Sequence, residues 1–206
     1  PMFADSFFIT DVIEIGLGER WFDQLVKSPH MIPGADDLLR YRGNDLKRCK
    51  AFACHPDLAA DKKFALYQYP GWQHPLQNNT VPWTEFQPVD EIMALLGSLK
   101  IWRVYDSEVK ELLFCGSVLN HTIVSHYRDG EDKITFHRDK LASIHPDGYI
   151  PILSLGAPRV MHFCEHRNIS KESPEQKMRR ATALTLAPWS LFLLGPKTNR
   201  TYEHAI

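Results

Sequence analysis

Residues 126–140, HYRDGEDKITFHRDK, decide how the rest of the chain is read. Asp129-Gly130 is a dipeptide suited to a tight turn, and Ile134-Thr135-Phe136-His137 has the β-branched and aromatic make-up of a strand. The segment therefore predicts a charged hairpin turning at Asp129-Gly130. On a strand, residues two apart face the same side, so His137 and Asp139 can offer an imidazole nitrogen and a carboxylate oxygen to one divalent ion. A 2-His-1-carboxylate set needs a further imidazole and leaves coordination positions open for an oxygen-activating Fe(II) and its co-substrates. His204, in NRTYEH just past the apolar run SLFLLG, is the candidate. A histidine and an acid two apart arise readily by chance among 10 histidines and 25 acids. Such a pair alone more often belongs to a solvated surface hairpin than to a metal site.

Outward from this segment the texture differs on the two sides. From Ser117 onward come short apolar runs, VLNHTIVSHY, KITFH, YIPILSLG, VMHFCEH, ATALTLA and SLFLLG, separated by turn signals at the spacing of a sandwich or barrel. Before it, Trp21, Phe22, Leu25 and Val26 lie at helical spacing in residues 19–27, and Pro88 to about Leu113 reads as one or two helices. That second stretch carries Ile92, Leu95, Leu96 and Leu99 on one stripe, with a break near Gly97-Ser98. Helices in the first half and antiparallel strands in the second make an α+β architecture. The densest basic patch, Arg40, Arg42, Lys47, Arg48 and Lys50, suits a hairpin turning at Gly43-Asn44.

Composition narrows the classes. At 206 residues with 44% hydrophobic content, one domain with a substantial core is expected. A net charge of −1 provides no global attraction to nucleic acid, so any basic site must be local. No apolar run approaches the ~20 residues of a membrane span, and the opening PMFADSFFITDVIEIG lacks the basic region of a signal peptide. An intracellular protein, cytoplasmic or nuclear, with no membrane association is the expectation. Cys49, Cys54, Cys115 and Cys164 lack paired spacing and read as reduced thiols. His162, Cys164 and His166 share a strand face in HFCEH, but three ligands at period two fit a zinc tetrahedron poorly.

Three longer words appear in order: LNHTIVSHYRDGEDKITFHRD, PILSLGAPRVMHF and SLFLLGPKTNRTYEHAI. In order and spacing they resemble the core strand motifs of the AlkB family of Fe(II)- and 2-oxoglutarate-dependent dioxygenases. The resemblance covers about residues 64–206. It implies a double-stranded β-helix, or jelly-roll, core in about 116–206, with N-terminal helices and a nucleotide-recognition lid in about 1–115, all one domain. It assigns His137, Asp139 and His204 as the catalytic iron ligands, and Tyr127 to the 2-oxoglutarate carboxylate. Ser125 stands where the family commonly has an asparagine that also binds the co-substrate, and a hydroxyl offers fewer hydrogen bonds than an amide. The arginine that holds the distal carboxylate lies in the family beyond the last histidine, past Ile206. Together with the opening Pro1, this leads to the expectation that the ends are trimmed.

For substrate, LYQYPGW resembles the family strand that stacks an aromatic ring on a flipped base, which implies Tyr69, flanked by Tyr67 and Trp72. Arg42 and Arg48 would grip phosphates. Leu141 stands where well-known members carry an acid, so base preference is expected to differ. The implied function is oxidative demethylation of N-alkylated nucleobases in DNA or RNA, using Fe(II), 2-oxoglutarate and dioxygen. The alternatives are a non-catalytic nucleic-acid-binding jelly-roll, or a dioxygenase acting on protein or lipid.

Overall fold

The computed structural model describes residues 5–31, 40, 41, 44, 45, 48–59, 80–98, 119–140, 144, 146, 148–167 and 172–206. Tyr67, Tyr69, Trp72, Arg42, Leu141 and Cys115 lie outside them. The chain forms two compact units, residues 1–23 with 130–206, and residues 24–129. Among the described residues no helix is long and apolar enough to cross a membrane.

The first unit holds two three-stranded antiparallel sheets. One orders β1 (Phe7–Ile9), β10 (Ser190–Leu194) and β7 (Ile150–Ser154); the other orders β11 (Tyr202–Ala205), β8 (Arg159–Glu165) and β9 (Thr182–Leu186). Their inner faces share one core of Met161, Phe163, Leu186, Phe192 and Leu194, with Ile150, Ile152, Leu184, Tyr202 and Ile206 against it. The Phe163 and Phe192 rings meet edge to face at 5.7 Å. This is the double-sheet layout of a jelly-roll. SLFLLG reads as a continuous apolar run because β10 is central and buried along its whole length. Its outer neighbour β1 comes from the far amino-terminal end, pairing Phe7 with Leu193 and Ile9 with Leu191.

The second unit holds β4 (Cys49–Cys54), antiparallel to β6 (His121–His126) and parallel to β5 (Val81–Pro82), with α2 (Pro56–Ala59) between. A 3-10 turn at Trp83–Glu85 leads toward α3 (Val89–Ser98), whose Val89, Ile92 and Leu96 are buried. Gly97 and Ser98 are both helical, and the residues that follow, on which the expected break near Gly97-Ser98 depends, lie outside the described ones. A small hairpin pairs β2 (Arg40–Tyr41) with β3 (Asn44–Asp45), in the register Tyr41 to Asn44. Asn44 is thus on a strand, not in the turn expected at Gly43-Asn44.

Two local expectations are corrected. The partner of β6 is β4, so residues 126–140 do not close a hairpin between β6 and Ile134–His137. Helix α1 (Ile15–Val26) starts before residue 19, and its buried stripe runs through Gly18, Trp21 and Leu25, leaving Val26 exposed. Gly18 is required because a Cβ there would overlap the Trp189 ring.

The segment that leads to His204 is held from the amino terminus. Helix α4 (Pro196–Thr201) begins after Gly195, which has no side chain to cap it. Asp5 does so from a distance: its carboxylate accepts from Lys197 N at 2.6 Å, Thr198 N at 3.0 Å and Thr198 Oγ1 at 2.6 Å. Ser6 Oγ accepts from Gly195 N and donates to Thr198 Oγ1. These bonds satisfy amides that every helix start leaves open, and place a negative charge at the positive end of the helix. A Cβ on Gly195 would overlap the Asp5 carbonyl and carboxyl groups. Gly195→Ala is therefore expected to lower stability by about 1–3 kcal/mol, the usual cost of overpacking, read as a lower urea midpoint at unchanged slope.

Candidate metal centre

Ile134–His137 is not a regular strand; His137 makes only an isolated bridge to His204. The hydrogen bonds explain why. Ile134 exchanges both backbone bonds with Ile206, and His137 exchanges both with His204. Three steps along one segment therefore face two along β11, so Thr135 and Phe136 oppose Ala205 alone. This is a β-bulge, a device that re-aims a side chain beside a site.

The bulge and β11 bring together His137, Asp139 and His204, whose donor atoms all lie within 4.8 Å of one another. His137 Nε2 is 3.8 Å from Asp139 Oδ1, and His204 Nε2 is 3.5 Å from Asp139 Oδ2. Bonds of about 2.0–2.2 Å to a shared divalent ion place two donors no more than about 4.3 Å apart, so these separations are compatible with one ion. The donor set, two imidazoles and one carboxylate, is that of a facial triad. Nδ1 of His137 lies 2.8 Å from the Thr135 carbonyl. A carbonyl only accepts, so Nδ1 carries the proton and Nε2 presents its lone pair toward Asp139. The residues present fit a divalent metal.

His204 is 4% exposed and packs near Phe163, whose ring centroid is 6.1 Å from its own. Burial first, and the nearby His137 second, push its pKa down from the ordinary 6.5 to about 4, against the opposing pull of Asp139. The ring is neutral at pH 7, as a ligand must be. Its Nδ1 has no hydrogen-bond partner among the described residues, so either tautomer is open to it. The His137 and Asp139 side chains are each 31% exposed, so the cluster opens on their side and is closed behind His204.

Other candidates fare differently. Tyr127 is half-buried just beyond β6, and Ser125 is exposed on β6 opposite Lys50. Arg48 and Lys50 are buried, so the described end of the basic patch does not present guanidinium or ammonium to solvent. Among the described residues, the His137 set is the only three-donor group within ligand distance, so His162, Cys164 and His166 do not assemble a zinc site. His166 instead faces Glu203 at 3.5 Å, while the thiols of Cys49, Cys54 and Cys164 are free. Sequence reading missed Asn199, which is 2% exposed and bonded to the Asp139 backbone.

The family model of the 2OG-Fe(II) oxygenase superfamily matches residues 40–206. The chain belongs to this superfamily. That superfamily is one of Fe(II)- and 2-oxoglutarate-dependent oxygenases, and the His137, Asp139 and His204 group could hold the iron. Similar curated proteins are the DNA oxidative demethylase ALKBH2 of Mus musculus, 32% identical over 91 residues, and that of Bos taurus, 29% identical over 94. These matches take in 44% and 46% of this chain, and only 37% and 33% of the relatives' own length. The solved structure titled "The structure of OsALKBH1" superposes with a TM-score of 0.55 at 15% identity, covering 98% of this chain and 84% of the other. That likeness speaks to the fold, and it agrees with the jelly-roll of this 2OG-Fe(II) oxygenase.

Proposed function

We propose that this oxygenase removes alkyl groups from nucleobase nitrogens in DNA or RNA, holding Fe(II) through His137 Nε2, Asp139 and His204. The convergence of those three donors at the bulge carries the reading; the similarity to two DNA oxidative demethylases supports the substrate class. Held there, Fe(II) would supply, with 2-oxoglutarate and dioxygen, the oxidising equivalent, 2-oxoglutarate being converted to succinate and carbon dioxide. The N-methyl carbon is hydroxylated and leaves as formaldehyde, returning the nitrogen its proton. On this reading Thr135 fixes the protonation of His137, while Phe163 and burial keep His204 neutral. Tyr127 is the proposed donor to the 2-oxoglutarate carboxylate, with Ser125 as a weaker second contact. Tyr69, flanked by Tyr67 and Trp72, is the proposed stacking platform, and Arg42 the proposed phosphate contact. We read residues 1–206 as one catalytic domain.

The test is a panel of methylated single- and double-stranded DNA and RNA oligonucleotides, read by mass spectrometry alongside succinate release. Tyr69→Ala is expected to lower oligonucleotide turnover by the 1–3 kcal/mol of one stacking contact, about tenfold to a hundredfold, while Tyr69→Phe costs little. Succinate release with no demethylation of any oligonucleotide would move the substrate to protein or lipid. The serine at position 125 favours the second reading, a non-catalytic nucleic-acid binder; oligonucleotide binding with no succinate would establish it.

A further inference from the structure

We propose that Asn199 is the positioning residue for the Asp139 carboxylate. The inference rests on reading His137, Asp139 and His204 as the metal ligands. Beyond the His137 bridge the chain leaves the β-ladder, so the Asp139 peptide has no strand partner. The Asn199 side chain takes that partner's place. Its Oδ1 accepts from Asp139 N at 3.0 Å, and its Nδ2 donates to the Asp139 carbonyl at 3.1 Å. Among the described residues these are the only hydrogen bonds to the Asp139 backbone. A side-chain amide is the right group for this, because it offers a donor and an acceptor at the separation of a peptide edge. With N–H and C=O both fixed, the direction of the Asp139 Cα–Cβ bond is fixed too, and the carboxylate can reach its ligand position by rotation about χ1 and χ2 alone.

Asn199 is itself immobilised. It is 2% exposed, its own N–H bonds Gly195 O at 2.9 Å, and it lies on the short helix that Asp5 and Ser6 clasp at its start. Arg138 Nη1 donates to the Arg200 carbonyl at 3.1 Å, a second tie between the segment carrying Asp139 and the same helix. That helix ends at Thr201 and runs directly into β11, of which His204 is the third residue. One rigid element therefore places two of the three ligands, His204 through the chain and Asp139 through an amide.

The experiment compares Asn199→Ala, Asn199→Leu, Thr198→Val, Asp139→Ala and the parent in anaerobic titrations with Mn(II). Co(II) absorption serves as a report on ligand geometry, and the melting temperature of each metal-free protein is recorded. Leucine keeps the branched shape of the side chain, at a larger volume, and removes both bonds, while alanine removes them without overpacking. Thr198→Val loosens the helix start, through its bond to Asp5, without touching the amide. Both Asn199 variants are expected to bind Mn(II) about 10- to 100-fold more weakly, as is usual when a group supporting a metal ligand is lost. Their Co(II) spectra should shift, while Thr198→Val, which keeps both amide bonds to Asp139, should lose markedly less affinity than either Asn199 variant whatever its melting temperature. Folded Asn199 variants with affinity within about twofold of the parent would overturn the proposal. So would an equal loss in Thr198→Val, which would make the effect one of helix stability. Parent-like affinity in Asp139→Ala would instead remove the ligand assignment on which the inference stands.

Discussion

Asp139→Ala is expected to abolish measurable Fe(II) binding, and succinate formation with it, while the metal-free protein keeps its fold. Asp139 is the only anion among the three donors, so its loss leaves two neutral imidazoles, one of them buried, to hold a divalent charge. Removing a residue that merely supports a ligand costs about 10- to 100-fold in affinity, and removing the ligand itself must exceed that. The side chain is 31% exposed, so little packing is lost. His204→Ala should match it in metal affinity yet differ in stability, because the 4% exposed ring also fills space beside Phe163. Anaerobic calorimetry with Mn(II) reads the first effect and thermal unfolding without metal reads the second. Affinity within tenfold of the parent in Asp139→Ala would show that the ion, if bound, sits elsewhere.

The strands of the second half were legible because they are buried in alternation or throughout, and SLFLLG and VMHFCEH carry that burial in their residue types. His137 and Asp139 were legible as a pair because of their spacing, although the reason given for it was incomplete. A straight strand was expected, and the bulge opposite Ala205 is what the backbone forms. Nothing local marks a bulge that depends on where β11 lies. The partner of β6 escaped for a similar reason: β4 precedes it by some seventy residues, whereas Asp129-Gly130 pointed to a neighbour close in sequence. Asp5 and Asn199 were missed because their polar groups are satisfied across 193 and 60 residues. Read one at a time, an aspartate near a terminus and an asparagine before an arginine look like surface residues. Gly195-Pro196 did carry a signal for the helix that intervenes between β10 and His204, since proline is favoured at a first helical position.

Acidification is expected to destabilise the metal-free protein through His204. In the unfolded chain this histidine titrates near 6.5; in the folded protein, burial first and then the neighbouring His137 bring it to about 4, against the pull of Asp139. Between those values the unfolded state holds a proton that the folded state lacks, so stability rises with pH across that window and is lost as pH falls through it. The contribution is fully present above about pH 6.5, falls by about 1.4 kcal/mol per unit, and levels off below about pH 4, where both states are protonated. The full span is about 3 kcal/mol, a large part of the 5–15 kcal/mol that holds an ordinary domain together. Other groups titrate over the same range, so the measurement is a difference. Urea midpoints of the parent and of His204→Phe, which keeps a buried ring and has no proton to gain, are compared from pH 4.5 to 7.5. The parent should lose stability more steeply than the variant, with the curves converging in slope above pH 7. Parallel curves would mean that the folded protein accepts the proton as easily as the unfolded one, and that burial behind Phe163 does not hold this ring neutral. Added Mn(II) should steepen the parent's curve further, because a metal-bound imidazole cannot be protonated, and should leave that of His204→Phe unchanged.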